Sequence, residues 1–243
     1  MSRIYQDLAT IDASQVKAFF NDRAKKETDA VNAVMLQSAG STLANDRDAY
    51  EKNHLVPKLT QQSRILEFGC GAGRLASTYD KDGHKYLGLD FSEELIAIAK
   101  AQTWTEGNIH FQVAEVPVID VDKLPLQPPF DFFIVTGLLI YLNDDAVRDT
   151  FALIARLAAP QARLYLRESI SDMETRLTLK EYYSEELGEV YNAIYRTPAE
   201  LKAIMDDILV PCGFSYSVCG DYAFPPALRN RAETAQRYFI LNR

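Results

Sequence analysis

An apolar run, Ile65-Leu66-Glu67-Phe68, breaks into three alternating glycines, Gly69, Gly71 and Gly73, and a second apolar run, Tyr86-Leu87-Gly88-Leu89, ends in Asp90. This order predicts a strand, a tight turn, a helix and a second strand parallel to the first. Glycines let the backbone turn sharply and approach a ligand with no Cβ in the way, and the free N–H groups of the following helix face it. A carboxylate at the tip of the second strand is placed to accept protons from two ribose hydroxyls. The chain is therefore expected to fold as an alternating α/β domain with an adenosine-type ligand at the carboxyl ends of its strands.

The dinucleotide fingerprint G-x-G-x-x-G would put its third glycine at position 74, which is Arg74, and this weakens a nicotinamide or flavin reading. With Glu67 two residues before Gly69, the run reads E-x-G-x-G-x-G and resembles motif I of the class I S-adenosylmethionine-dependent methyltransferases. Asp90 stands where that family keeps its ribose-binding acid. The resemblance covers about residues 64–243. It implies a Rossmann-like fold: a seven-stranded mixed sheet of order 3-2-1-4-5-7-6, the last strand antiparallel, with helices on both faces. It also implies S-adenosyl-L-methionine as cofactor and S-adenosyl-L-homocysteine as product.

At 243 residues, 47% of them hydrophobic, the chain suits one substantial core with additions. A formal net charge of −8 argues against a broad nucleic-acid footprint, which needs excess Lys and Arg. The start, Met1 to Asp7, lacks the apolar core of a signal peptide, and no run approaches a membrane span. A cytoplasmic monomer or homodimer without membrane contact is expected. Cys70, Cys212 and Cys219 make neither a disulfide framework nor a C-x-x-C pair, and His54, His84 and His110 are scattered, so no metal is expected. Trp104 is expected to pack.

Along the chain, residues 1–60 read as a helical amino-terminal cap, with Val16, Phe19, Phe20 and Arg23 on one face and a second helix from Asp46 to Lys58. Residues 61–243 form the main domain. Strands are expected at Arg64–Phe68, Tyr86–Asp90, Ile109–Val113, Phe132–Thr136 and Ala162–Glu168, and a closing antiparallel pair at Phe214–Val218 and Arg237–Leu241. Ser92 caps a helix over 93–101, a third helix runs from Asp144 to Ala159, and Thr197-Pro198-Ala199-Glu200 is a capping box opening a fourth. Residues 169–196 form an insertion rich in tyrosine, read as a lid or substrate-binding segment.

Ligands of open parallel sheets sit just beyond the strand ends, which nominates Glu67, Gly69, Cys70 (through its backbone), Gly71, Gly73, Asp90, Phe91, Ala114, Glu115, Val116, Thr136 and Gly137 as cofactor-binding residues. The resemblance sets the glycine turn against the methionine part, Glu67 near its ammonium and Glu115 near the adenine amino group, where many relatives have Asp. Tyr141 and Glu168 are the candidate catalytic groups. Phe20, Arg23, Tyr182, Tyr183 and Tyr195 are the candidate acceptor-binding residues. The leading expectation is methyl transfer to a small acceptor, a hydroxyl favoured over an amine, with a sugar or secondary metabolite fitting the acidic surface. The alternatives are a non-catalytic module that binds the same cofactor, and an NAD(P)-dependent oxidoreductase.

Overall fold

A computed structural model describes residues 2–26, 29–36, 41–104, 107–185 and 187–243. Seven strands form the main sheet: β2 (Arg64–Phe68), β3 (Lys85–Asp90), β4 (Ile109–Val113), β5 (Phe130–Thr136), β6 (Ala158–Ser171), β9 (Ser215–Tyr222) and β10 (Thr234–Asn242). Their order is β4-β3-β2-β5-β6-β10-β9. The first five are parallel, and β10 runs antiparallel to both β6 and β9. Numbered within the sheet, this is the expected 3-2-1-4-5-7-6.

Strict alternation along these strands divides the core. Leu66, Phe68, Leu87, Leu89, Phe133, Val135, Leu164 and Leu166 face one side. There they meet Val147, Phe151 and Ile154 of α5 (Asp144–Leu157) and Leu201 and Met205 of α6 (Pro198–Ile208). Each fully buried Leu, Ile or Phe contributes about 1.5–3 kcal/mol of transfer free energy. Ile65, Tyr86, Phe132, Ile134 and Tyr165 face the other side, with Ile96 and Ala99 of α4 (Glu93–Ala101). By the same alternation Glu67 and Arg167 also point to that second side, so the sheet delivers ionisable groups into a largely apolar layer.

The helix starts read from the sequence are in place. Ser92 Oγ accepts from Leu95 N at 3.1 Å, and Thr197 and Glu200 close a reciprocal capping box with bonds of 3.2 and 2.7 Å. Three expectations differ. No α-helix follows the glycine turn. Only a 3₁₀ turn, Ala76–Thr78, fits between Gly73 and the turn before β3, and the space is covered by Leu55, Val56 and Leu59 packing on Leu75, Ala76 and Tyr79.

The amino-terminal cap is not wholly helical. β1 (Ser2–Tyr5) precedes α1 (Ala13–Lys26), α2 (Ala30–Val34) and α3 (Leu43–Tyr50), and the expected second helix ends as a π turn, Glu51–Leu55, ahead of Pro57. Met1, Glu27, Thr28 and residues 37–40 of that cap lie outside the described residues. The insertion is a hairpin, β7 (Leu177–Ser184) and β8 (Glu189–Tyr195), and β1 pairs antiparallel with β7 to complete a second, three-stranded sheet. Val16, Phe19 and Phe20 of α1 pack with Tyr191, Ala193, Ile194 and Tyr195 of β8, which ties the cap to the insertion.

Candidate functional site

One cavity opens at the carboxyl ends of β2, β3, β5 and β6, with about 1620 Å³ of empty space including its open mouth. Of the residues nominated from sequence, Glu67, Gly69, Cys70, Gly71, Asp90, Phe91, Ala114, Glu115, Val116, Thr136, Gly137, Phe20, Tyr141 and Tyr195 line it. The glycine turn is built as its spacing suggests: Gly69 and Gly71 have φ of 70° and 52°, where side chains are strained. A Cβ at Gly71 would stand 2.6 Å from Val34 Cγ1 of α2.

Asp90 organises the turn. Its Oδ2 accepts from Gly71 N and its Oδ1 from Ser92 N, both at 2.9 Å. Burial pushes its carboxyl up to about 6, against the pull of these backbone N–H groups. Each oxygen keeps a lone pair for a further donor, which suits a pair of hydroxyls. Glu67 is buried and accepts a hydrogen bond from the Tyr86 hydroxyl. Burial pushes it up to about 8, although Tyr86 and Arg74 pull the other way, so at neutral pH it is largely protonated until a cation joins it.

Beneath the turn lies an ion network that the sequence did not announce. Glu51, from the π turn, is fully buried and meets Arg167 Nε at 2.6 Å, Arg74 Nη2 at 2.8 Å and the Tyr165 hydroxyl at 2.9 Å. Burial alone would raise its carboxyl, but Arg167 and Arg74 outweigh that and hold it below its ordinary value. Arg74 also pairs with Asp48 at 2.9 Å and reaches Thr136 Oγ1 at 3.3 Å. The residue that breaks the dinucleotide fingerprint is thus the one that fastens the glycine turn to α3.

Several nominated residues sit elsewhere. Gly73 does not line the cavity; a Cβ there would press on Phe111 at 2.9 Å and Ala99 at 3.2 Å, so this glycine lets the turn close on β4 and α4. Glu168 is buried outside the cavity lining, its Oε1 accepting from Leu138 N at 2.8 Å and Leu139 N at 2.9 Å, with burial pushing it up to about 7. It braces the turn after β5 instead of facing the opening. Tyr141 shares a hydrogen bond with Tyr191 at 2.9 Å, and burial raises its phenol well above the ordinary value, which disfavours a phenolate base.

Arg23 is also outside the lining; it donates to the Asn32 carbonyl at 3.0 Å and ties α1 to α2. Tyr182 lies against Arg3, 5.8 Å from ring centroid to guanidinium, and Tyr183 is exposed; neither lines the cavity. Trp104 packs on Phe111 and donates to the Ala99 carbonyl.

The cavity also contains residues the sequence reading left out of the site. Tyr191 joins Tyr195 on alternate positions of β8, a period-2 signal that was present in the sequence. Arg47, Arg167 and Arg229 arrive from α3, β6 and the β9–β10 connection, and no local motif marks them. Among the described residues there is no His, Cys, Asp and Glu cluster able to hold a metal, and no helix long and apolar enough to cross a membrane.

Residues 65–161 match the family model of a methyltransferase domain. A wheat (Triticum aestivum) protein named phosphoethanolamine N-methyltransferase 1 is 27% identical over 161 residues, 63% of this chain and 30% of that protein. The chain spans less than half the length of the curated relatives it matches. Among solved structures, phosphoethanolamine N-methyltransferase 1 of Haemonchus contortus, bound to phosphoethanolamine and S-adenosylhomocysteine, superposes with a TM-score of 0.66 at 18% identity, over 95% of this chain and 48% of that one. The 1,6-didemethyltoxoflavin-N1-methyltransferase of Burkholderia thailandensis, bound to its acceptor and S-adenosylhomocysteine, gives 0.61 at 17% identity, over 99% of this chain and 95% of that one.

Proposed function

We propose that this chain, whose residues 65–161 match the family model of a methyltransferase domain, transfers a methyl group from S-adenosyl-L-methionine to a small-molecule acceptor, leaving S-adenosyl-L-homocysteine. One observation carries the cofactor reading. The carboxylates that line the cavity, Glu67, Asp90 and Glu115, gather around the glycine turn at the ends of β2, β3 and β4. Such a set suits a cationic nucleoside with free ribose hydroxyls, because the cation draws Glu67 into its charged form, which the phosphates of a dinucleotide cannot do.

When bound, the cofactor supplies a methyl group already activated on a positively charged sulfur. What remains for the protein is to position. Asp90 would hold the ribose, Gly69 and Gly71 would lie against the amino-acid part with Glu67 beneath its ammonium, and Glu115 would stand at the adenine edge. Thr136 and Gly137, at the end of β5, would border the point of transfer, where a Cβ on Gly137 would meet nothing within 4 Å. Holding two reactants in line can itself provide effective molarities of ~10⁵–10⁸ M.

The hydroxyl preference drawn from sequence required Tyr141 or Glu168 as a base. Tyr141 is held in a hydrogen bond with its phenol pKa raised, and Glu168, whose Oε1 accepts from two backbone N–H groups, stands outside the cavity lining. An acceptor whose lone pair is already free, an amine or an ionised oxygen, is the better match, because it needs no proton removed. The hairpin β7–β8, through Tyr191 and Tyr195, serves as one wall of the acceptor space, with Phe20 of α1 beside it.

Calorimetry with S-adenosylmethionine, S-adenosylhomocysteine and NAD tests the cofactor. Binding of the first two and not the third is expected; the reverse pattern would replace this reading with an oxidoreductase. Consumption of S-adenosylmethionine with a panel of small amines and acids separates an enzyme from a binding module.

A further inference from the structure

The carboxylates of the cavity and several of its arginines come from opposite ends of the strand order, while Arg74, at the glycine turn, and Arg167, on β6, are paired with Asp48 and Glu51. The acidic group belongs to β2, β3 and β4, at one side of the order β4-β3-β2-β5-β6-β10-β9. Arg229 and Arg231, on the connection between β9 and β10 at the other side, line the cavity together with Asn230 and with Arg47 of α3.

Two of these arginines are held by groups around Phe224. Arg47 is buried, donates from Nε to the Leu228 carbonyl at 2.8 Å and from Nη2 to Asn230 Oδ1 at 2.9 Å, and faces the Phe224 ring at 5.4 Å. Arg229 donates from Nε to the carbonyl of the same Phe224 at 2.8 Å and stacks on Tyr222 at 3.8 Å. It makes no ion pair within 4 Å among the described residues; Asp172, which feels its charge, is paired with Arg237. Phe224 therefore brings both guanidinium groups to one place.

We propose that this basic side recognises an oxyanion of the methyl acceptor, a phosphoryl or carboxylate group, through Arg47 and Arg229. The proposal rests on the methyl-transfer reading above. Guanidinium groups whose planes are fixed by stacking present paired N–H donors at the spacing of such oxygens, and they remain charged at every working pH. Thr136, Gly137 and Ser169 line the cavity at the strand ends of β5 and β6, between the acidic and basic sides. An acceptor anchored by its anion on the arginines thus extends its reactive atom toward the cofactor. The two charge fields also sort the ligands, since the anion is repelled from the glycine turn and the sulfonium from the arginines.

The test uses the full chain saturated with S-adenosylhomocysteine and titrated at constant ionic strength with inorganic phosphate, acetate or chloride. Phosphate or acetate is expected to bind and chloride not, and whichever binds tighter tells a phosphoryl from a carboxylate acceptor. Arg229→Gln and Arg47→Met should each weaken that anion about tenfold or more, the loss of one hydrogen-bonded charge, with S-adenosylhomocysteine affinity unchanged. Arg229 is only half-buried, so its variant stands as the measurement if the Arg47 variant does not fold. The proposal is overturned if neither anion binds, if the Arg229 variant binds as well as the parent, or if a short single-stranded oligonucleotide binds in their place. Failure of S-adenosylhomocysteine to bind strikes the cofactor reading instead, and the same anion titration of the free chain still reports on the arginines.

Discussion

Asp90 and Gly71 act as one device, because the carboxylate that would hold the ribose also accepts the Gly71 N–H. Asp90→Ala should weaken S-adenosylhomocysteine binding by about 1.5–3 kcal/mol, the range for hydrogen bonds to charged groups, as read by calorimetry. A loss below ~0.3 kcal/mol would contradict the ribose assignment. Gly71→Ala places a Cβ at φ 52° and 2.6 Å from Val34, so both the turn and its contact with α2 must give way. Denaturant unfolding should show a destabilisation of about 1–3 kcal/mol, the cost of a side chain in a sparsely populated backbone region. An unchanged midpoint would mean that α2 yields without cost.

Among the elements, the hairpin β7–β8 is held at its base by Asp144, with Glu200 reaching Arg176 at 3.9 Å. Asp144, in the first turn of α5, receives Arg176 from just before β7 and Arg196 from just after β8, the latter at 2.7 Å. Arg196 also donates to the Leu139 and Leu142 carbonyls at 2.7 Å, which binds the hairpin to the turn bearing Tyr141. Burial raises the Asp144 carboxyl, but the two arginines outweigh it and set it below its ordinary 3.8. Its contribution is therefore present above that value and lost in acid as pH falls through the lower folded one. Asp144→Ala should cost about 1.5–3 kcal/mol at neutral pH and speed amide exchange over 177–195. Exchange that stays as slow as in the parent would show that α1 packing alone fixes the hairpin.

For the molecule as a whole, three buried carboxyls make stability fall as pH rises. Glu67 at about 8, Glu168 at about 7 and Asp90 at about 6 all lie above their ordinary 4.5, 4.5 and 3.8. The folded chain binds these protons more tightly than the unfolded one, so their contribution is whole below about 4 and is lost as pH climbs through the folded values. The ligand-free protein should melt at progressively lower temperature from pH 4.5 to 8, and Glu67→Gln, which keeps an acceptor for Tyr86 but cannot ionise, should flatten that slope. A scanning-calorimetry profile with no slope in the parent would remove the argument. S-adenosylmethionine should reduce the slope too, because its ammonium compensates the ionised Glu67.

The sequence by itself determined the sheet. Runs such as Arg64–Phe68 and Ile109–Val113, the capping box at Thr197, and the three acids beside the glycine turn were legible because strand alternation, capping and turn chemistry act over a few residues. Only the tertiary structure decided what those residues meet. Gly73 became a packing contact, Glu168 a backbone brace, and Tyr182 a ring against Arg3, while Glu51 came to the network beneath the turn and Arg47 and Arg229 to the cavity from segments with no motif of their own. The reason is range. A buried charge is placed by the partners that offset its desolvation, and Glu51 finds Arg167 and Arg74, like Arg47 finding Leu228 and Asn230, only after the sheet has brought distant stretches of chain together.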